Sequence, residues 1–600
     1  MAFVQLQVIS HFSLLQTTTA LEDLVLSAKQ RGYNSLALTD FNYMYGQVDF
    51  FKLCKKHHIK PLIGIQLEMP GLVLTDQTFT MVFLAKNYVG YQKLLELSTV
   101  RSTNDFLALK KAMEIGMENI FAITPGETGE IEQLLLQNEQ TKAEEVAEAW
   151  KQLFPVEHFF IGVQIHRQLQ QLIKPLTEIA NKLTLLTVAM HDVRYLNKND
   201  YFSTNVLKAI GDGEQLEELD GTITGTHFLP EEAVIAHHFT ELGLGEAVAQ
   251  TQKIADQIAV DLPLHQNLLP QYPLEEGVQT PDYLRKLCYE GLAERVPDAD
   301  ERYNKRLEYE LSVIHEMGFD DYFLIVWDVM DYARRVKVLP GAGRGSAAGS
   351  LVAFVLRITH VDPIAYNLLF ERFLNKERYT MPDIDLDFPD DRRDEILQYV
   401  HKKYGHEHVA QIITFGTLAA KMAIRDTARV FGLTTQEAGE WSAAIPAQLG
   451  IRLADAWKQS PALQRLTESS RENQLLFETA MKIEGSPRHI STHAAGVVIS
   501  GQPLMELIPL QHRDGDILLT QYPMGNIEEI GLLKMDFLGL KNLTILNDAV
   551  RLAEKQNNTT LDIFSIPTDD SATLDLFRSA DMNGIFQFES RGIRNVLRRL

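Results

Sequence analysis

The sequence predicts an α/β multidomain protein, and three observations predict it. Over roughly the first 260 residues, short apolar runs alternate with amphipathic stretches at βα spacing. Further on, a long helical pattern lies between two returns to strand character. At 600 residues the chain is also too long for one hydrophobic core, and roughly three to five domains follow.

The first region supplies its strands as SLALT (35–39), PLIGIQL (61–67), TMVFLA (80–85), NIFAIT (119–124), FFIGVQI (159–165) and LLTVAM (185–190). Between them TALEDLVLSAKQRG (19–32) and KAEEVAEAWKQLF (142–154) have the apolar spacing of helices. DLPLHQNLLPQYPLEEG (261–277) is punctuated by proline and reads as an extended linker. Helical patterns then run to about 340 and are followed by a Gly-rich turn, a helix and an acidic strand near 383–388. From 413 to 490 the pattern is helical, with Thr434 and Glu437 at capping-box spacing. VVIS (497–500) and GLLKMDFLG (531–539) return to strand, and helix resumes from 541. RGIRNVLRRL closes the chain without a capping signal, so more protein is expected after Leu600.

Composition excludes several classes. No stretch approaches the ~20 apolar residues of a membrane span. The start, MAFVQLQVIS, has neither the basic opening nor the apolar core of a signal peptide. Cys54 and Cys288 are far apart and outside any CxxC pattern, which fits a reducing cytoplasm. The net charge of −23 argues at first against nucleic acid. Its distribution is uneven: residues 331–430 hold 15 Lys+Arg against 13 Asp+Glu, while the whole chain holds 57 against 80. An acidic body with one more basic segment is compatible with a local phosphate-binding surface, or with ordinary variation in surface charge.

MPDIDLDF (381–388) places Asp383, Asp385 and Asp387 at i, i+2 and i+4, on one face of a strand, with Ile384, Leu386 and Phe388 on the other. Three like charges on one face call for cations. Oxygen donors at this density suit Mg²⁺, which leaves coordination sites open for substrate phosphate. The alternatives are a solvated edge strand, or pairing with Arg378, Arg392 or Arg393. Asp536 in KMDFLGL shares a strand face with Lys534 and is uninformative by itself. PGAGRGSAAGS (340–350) enters an apolar run, LVAFVL (351–356). Gly-rich backbone leading into a helix N-terminus offers N–H groups to an anion. Arg344 adds a phosphate-binding fork and Ser346 a hydroxyl. No GKS or GKT follows, so this is not a Walker A loop; the alternative is a tight turn where backbones pack closely.

Taken together, GFDDYFLIVWD (318–328), PGAGRGSAAGSLVAF (340–354), LLFERFLNKER (368–378), MPDIDLDF, QIITFGTLAAKMAIRD (411–426), HAAGVVIS (493–500), GLLKMDFLGLKNLTI (531–545) and GIFQFESRGI (584–593) resemble the family C bacterial replicative DNA polymerases, the alpha subunit of DNA polymerase III. The resemblance implies a PHP-type distorted β/α barrel over 1–260, and a linker with the first part of a polymerase-beta-like palm over 261–412. It places a helical thumb at 413–490, the second part of the palm at 491–541 and the start of helical fingers at 542–600. It also implies template-directed DNA synthesis with two Mg²⁺ ions held by Asp383, Asp385 and Asp536, and Asp387 in a supporting role. Arg344, Gly345, Ser346 and Arg372 would lie on the incoming triphosphate, with Lys534 beside the centre. Lys421, Arg425 and Arg429 would grip primer–template DNA, or simply form a solvated helix face. His493 is expected to be structural. Deoxynucleoside triphosphates are the expected substrate. Sliding clamp and clamp loader are expected partners through regions beyond residue 600, and no membrane partner is expected.

The first 260 residues resemble the PHP domain but depart from its trinuclear metal pattern almost everywhere. The His-x-His positions read Gln5 and Gln7, and other ligand positions read Ile9, Gln16, Phe41, Gln66, Thr80 and Arg194; only Asp40 and Asp192 remain. Amides are poor ligands beside imidazole or carboxylate, so no metal is expected there and a scaffold role is. His11, His57 and His58 fall outside the ligand positions. No long insertion interrupts this region, so no built-in 3′–5′ exonuclease is expected. The alternatives are a PHP phosphoesterase, which the missing ligands disfavour, a template-independent nucleotidyltransferase, and a scaffold with a vestigial acidic strand.

Overall fold

The computed structural model describes residues 2–166, 168–377, 381–513 and 517–599. Arg378, weighed above as a partner for the aspartates, lies outside them. The chain forms two compact units. One is built from Met1–Asn267, Ala410–His493 and Gln502–Gly531, the other from Leu268–Val409, Ala494–Gly501 and Leu532–Leu600.

In the first unit every predicted early strand forms: β1 (Ser35–Leu38), β2 (Lys60–Pro70), β3 (Thr78–Ala85), β4 (Ile120–Ile123), β5 (Phe159–Val163) and β6 (Leu186–Ala189). They make one sheet in chain order. β2–β3 and β3–β4 are antiparallel and the other pairs parallel. The N-terminal segment bridges both ends of this sheet, Gln5 to Leu36 and Val8 to Val193, which curls it toward closure. β1, β4 and β5 are buried along their whole length, the burial expected of strands covered on both faces.

The later strands are β7 (Asp385–Pro389), β8 (Val409–Thr417), β9 (Pro487–Ile499), β10 (Leu510–Gln511), β11 (Leu518–Pro523) and β12 (Leu533–Leu540). The helical stretch predicted from 413 is shorter than expected. QIITFGT remains strand to Thr417 in β8, which pairs with β11 at Ala410, Gln411 and Ile413 and has β9 as its other neighbour in the sheet. The helices run from Ala420 to Ile483. The Thr434–Glu437 capping box is present. Ile424 and Ala428 from the first of these helices and Phe431 that caps it, with Leu476, Phe477 and Ala480 from the last, share a core with Phe202, Leu207 and Ile210 of helix Tyr201–Asp212. On the far side, Gln521 of β11 accepts from the Met44 N–H (2.7 Å), and the Tyr91 and Tyr522 hydroxyls meet at 2.8 Å.

In the second unit, helices Glu301–Glu316 and Asp320–Arg335 precede the Gly-rich turn. Buried Asp328 accepts from the hydroxyls of Tyr399 (2.9 and 3.0 Å) and Tyr404 (3.3 Å) and from Lys403, clamping helix Asp320–Arg335 to helix Arg393–Tyr404. LVAFV is a fully buried helix as predicted. Three further helices, Lys541–Asn557, Ser571–Ser579 and Arg591–Leu597, bury none of their residues. Among the described residues no helix is long and apolar enough to cross a membrane.

Candidate active site

The site is set by the pairing of β7 with β12. These strands run parallel, with Asp385 opposite Asp536, Leu386 opposite Phe537 and Asp387 opposite Leu538. Alternation sends Ile384, Leu386, Phe388 and Phe537 into the core and leaves the aspartates on the other face. Two ligands expected on separate strands are therefore lateral neighbours. β7 begins at Asp385, so Asp383 lies exposed just before it rather than within the strand. The Ile384 N–H donates to the Tyr322 hydroxyl (3.1 Å), which fixes the entry to β7. Burial holds the Tyr322 hydroxyl well above its ordinary pKa, and Asp383, Asp536 and Asp385 push it further.

The Gly-rich turn reaches this face. The Gly341 N–H donates to the Asp387 carbonyl (2.9 Å), and a Cβ at Gly341 would lie 2.9 Å from that of Asp387; this close approach requires glycine. The turn then delivers Arg344 to the acidic strand. Its Nη1 is 2.8 Å from Asp385 Oδ2, and its Nε and Nη2 donate to Asp387 at 2.9 and 3.3 Å. Pairing with an arginine was foreseen as an alternative, but the partner is Arg344. Arg392 pairs with Glu395, and Arg393 donates to the Phe537 carbonyl and pairs with Asp394. Asp385 is raised above the usual carboxylate range by burial; Arg344 opposes this, and Asp383, Asp387 and Asp536 add to it. Burial lowers Arg344, but Asp387 and Asp385 outweigh it and the net shift is upward. Lys534 Nζ sits 3.0 Å from Asp536 Oδ2.

Gly345 and Ser346 are exposed in a 3-10 turn, Gly345–Gly349, and Gly345 takes the left-handed conformation (φ +66°). Arg372 is exposed at the end of the neighbouring turn Phe370–Arg372, which packs against it. The expectation that the helix N-terminus after the turn would receive an anion is corrected. Fully buried Glu310 already fills it, accepting from the Ser350 hydroxyl (2.9 Å) and the Leu351 and Val352 N–H groups (2.9 and 3.0 Å), while Ser350 Oγ takes the Ala353 N–H. Arg306 neutralises Glu310 (2.7 Å) and donates to the Gly349 carbonyl (2.9 Å). Sequence reasoning passed over Glu310. Its signal was an acid on the apolar face formed by Leu307, Leu311 and Ile314.

Among the described residues no three His, Cys, Asp or Glu side chains converge as a ready metal cage, because Asp385 and Asp387 engage Arg344 and Asp536 engages Lys534. In kind, however, the donors fit a hard divalent cation. Asp385 and Asp536 are adjacent carboxylates, and Asp536 Oδ1 is buried without a hydrogen-bond partner. A cation would satisfy that oxygen.

In the first unit the degenerate PHP positions hold one another. Gln7 Nε2 donates to Gln66 Oε1 (3.0 Å) and to the Pro125 carbonyl (3.1 Å), and Gln164 Nε2 donates to Gln7 Oε1 (3.1 Å). Asp40 accepts from Ser10 N–H, Ser10 Oγ and Ser13 Oγ (2.7, 2.8 and 2.6 Å), and burial raises it to about 6. Asp192 binds Arg194 at 2.6 Å. Beside them His166 stacks on His191 and His227, with ring centroids 4.8 and 4.3 Å apart, a cluster not apparent in the sequence. His11 packs against Phe12, His57 ends helix Gln47–His57, and His58 is its left-handed cap. On helix Ala420–Val430, Lys421 and Arg425 are exposed, whereas Arg429 donates to the Ile210 carbonyl (3.2 Å) and is thereby anchored. His493 lies on β9.

The chain thus combines a curled mixed sheet with an acidic strand pair met by an arginine-bearing Gly-rich turn. The PHP domain model matches residues 5–166, the bacterial DNA polymerase III alpha NTPase domain residues 282–539, and the bacterial DNA polymerase III alpha subunit finger domain residues 542–600. DNA polymerase III subunit alpha of Bacillus subtilis (strain 168) is 46% identical over 605 residues, covering 100% of this chain and 54% of that protein. The subunits of Halalkalibacterium halodurans and Pseudomonas aeruginosa are 39% and 35% identical, again over 100% of this chain and covering 54% and 53% of theirs. An amidohydrolase from Chromobacterium violaceum is a solved structure with 12% identity and a TM-score of 0.22, over 32% of this chain and 88% of that one; a likeness this slight carries no argument. The chain is thus similar along its whole length to bacterial DNA polymerase III alpha subunits, and it spans about half the length of the curated relatives it matches.

Proposed function

We propose that this chain is the catalytic-site-bearing half of a template-directed DNA polymerase that adds deoxynucleotides to a primer 3′-OH in chromosomal replication. The register that sets Asp385 beside Asp536, with Arg344 delivered to the same face, carries this reading. Asp383, Asp385 and Asp536 would hold two Mg²⁺ ions, which supply activation of the attacking hydroxyl and stabilisation of the leaving oxygen. Arg344, Ser346, the backbone at Gly345, and Arg372 would bind the triphosphate. Lys534 holds Asp536 in place. Transfer of this type depends mainly on positioning and electrostatic stabilisation.

In this reading β7, β9 and β12 belong to a polymerase-beta-like palm, 413–490 is the thumb and 542–600 begins the fingers. Lys421 and Arg425 face primer–template DNA. The amide network of Gln7, Gln66 and Gln164 supports a PHP domain that binds no catalytic metal and acts as scaffold, and proofreading then comes from a partner. Clamp and clamp-loader contacts belong to further regions of the full-length subunit. Two buried, unpaired cysteines fit a cytoplasmic protein.

The test is primer extension by the full-length subunit with Asp385→Ala or Asp536→Ala. Extension should fall by orders of magnitude while primer–template affinity is largely kept. Retained synthesis in either variant removes the site assignment, and phosphate release from a simple phosphoester would favour a phosphoesterase instead.

A further inference from the structure

We propose that Asp387 is a positioning residue that holds Arg344 by one edge, so that Asp385 can exchange this guanidinium for a divalent cation. The inference rests on the reading above. Its starting point is the unequal grip on one guanidinium. Asp387 receives two N–H groups, Nε and Nη2, and Asp385 faces only Nη1. The Asp387 side chain is 7% exposed, that of Asp385 28%. The Asp387 carbonyl also accepts the Gly341 N–H, so the strand holds both the root of the turn and the head of its arginine. The two-point, buried contact is the durable one; the single, more exposed contact is the exchangeable one.

A cation arriving between Asp385 and Asp536 repels Arg344 and competes for the same oxygen. Without Asp387, the arginine has only Asp385 to neutralise and would settle on it, opposing metal entry. With Asp387, Nη1 is released while the rest of the guanidinium stays in place, facing the approach of an anion. Asp387 thus raises metal affinity at Asp385 and, separately, keeps Arg344 oriented for a triphosphate. It does both without binding either ligand.

A double-mutant cycle on the full-length subunit tests this, using Mn²⁺ binding followed by electron paramagnetic resonance and the nucleotide KM in primer extension. Asp387→Asn should weaken Mn²⁺ binding about ten-fold and raise the nucleotide KM more than it lowers kcat. In an Arg344→Gln background, Asp387→Asn should have no further effect on Mn²⁺. The double variant leaves no uncompensated buried charge, so it tests the coupling even if the single variant folds poorly. Equal weakening by Asp387→Asn in both backgrounds would make Asp387 a metal ligand and overturn the proposal. Unchanged Mn²⁺ affinity and KM in well-folded Asp387→Asn would overturn it as well. Mn²⁺ binding insensitive to Asp385→Asn would overturn the underlying site assignment and this inference with it.

Discussion

Replacing Glu310 by glutamine changes one atom in a fully buried carboxylate, and its cost can be worked from the contacts. Oε1 accepts from Leu351 N–H and Arg306 Nε, and Oε2 from Val352 N–H and the Ser350 hydroxyl. A glutamine oxygen can serve the first pair. Its NH₂ then faces the second pair, where the Ser350 hydroxyl can turn to accept but the Val352 N–H cannot. One orphaned buried donor and the loss of a counter-ion for Arg306 together cost about 3–5 kcal/mol. Because a protein of several units need not unfold in one step, the assay is amide hydrogen exchange over residues 345–356. Local opening there should rise by at least about a hundred-fold, and the nucleotide KM should rise with it, because the same helix start anchors the turn that carries Ser346. Unchanged protection at Leu351 and Val352 would show that Glu310 does not hold this helix start, and the argument fails there.

Other expected outcomes concern the first unit. Burial raises Asp40 to about 6, so its folded pKa exceeds the unfolded one, and the stability it contributes is full below pH ~4 and lost as pH rises through about 6. Asp40→Asn should therefore gain up to about 3 kcal/mol on the wild type at pH 8, read by denaturant unfolding of this unit; a pH-independent difference would refute the cause. Burial lowers His11 and His191 to about 4 and His166 to about 3. Their contribution is full above pH 6.5 and lost as pH falls, by about 2 kcal/mol per histidine at pH 5, and His191→Gln should flatten that acid limb in a melting-temperature series. Dialysis against a chelator should leave the melting of the first unit unchanged; a shift with release of stoichiometric zinc, iron or manganese would contradict the scaffold reading.

The six strands of the first sheet were legible because they are compact apolar runs separated by amphipathic stretches, a pattern that left a layered sheet and a barrel both open. The capping box at Thr434 was legible for a similar reason, since its signal is local. The acidic strand was legible as a face, but not its first residue: Asp383 shares the alternation and yet precedes the ladder with β12, which begins at Asp385 opposite Asp536. That Arg344 rather than Arg392 or Arg393 meets the aspartates was not legible, since 43 residues separate it from Asp387 and only the close approach at Gly341 brings them together. The helix start at Leu351 was misjudged because its donors are taken by a residue 41 positions upstream. The stacked histidines come from three separate segments, and no spacing rule could have joined them.

The glutamines of the first unit have a further consequence for engineering or for reversion. Gln7 both donates to Gln66 and accepts from Gln164, so a lone Gln7→His would take one partner from each without assembling a coordination sphere. Intermediate variants would carry the penalty of unmet polar groups and gain no ion in return. A pocket closed in this way resists stepwise restoration, and recovering a working metallocentre would take several substitutions at once.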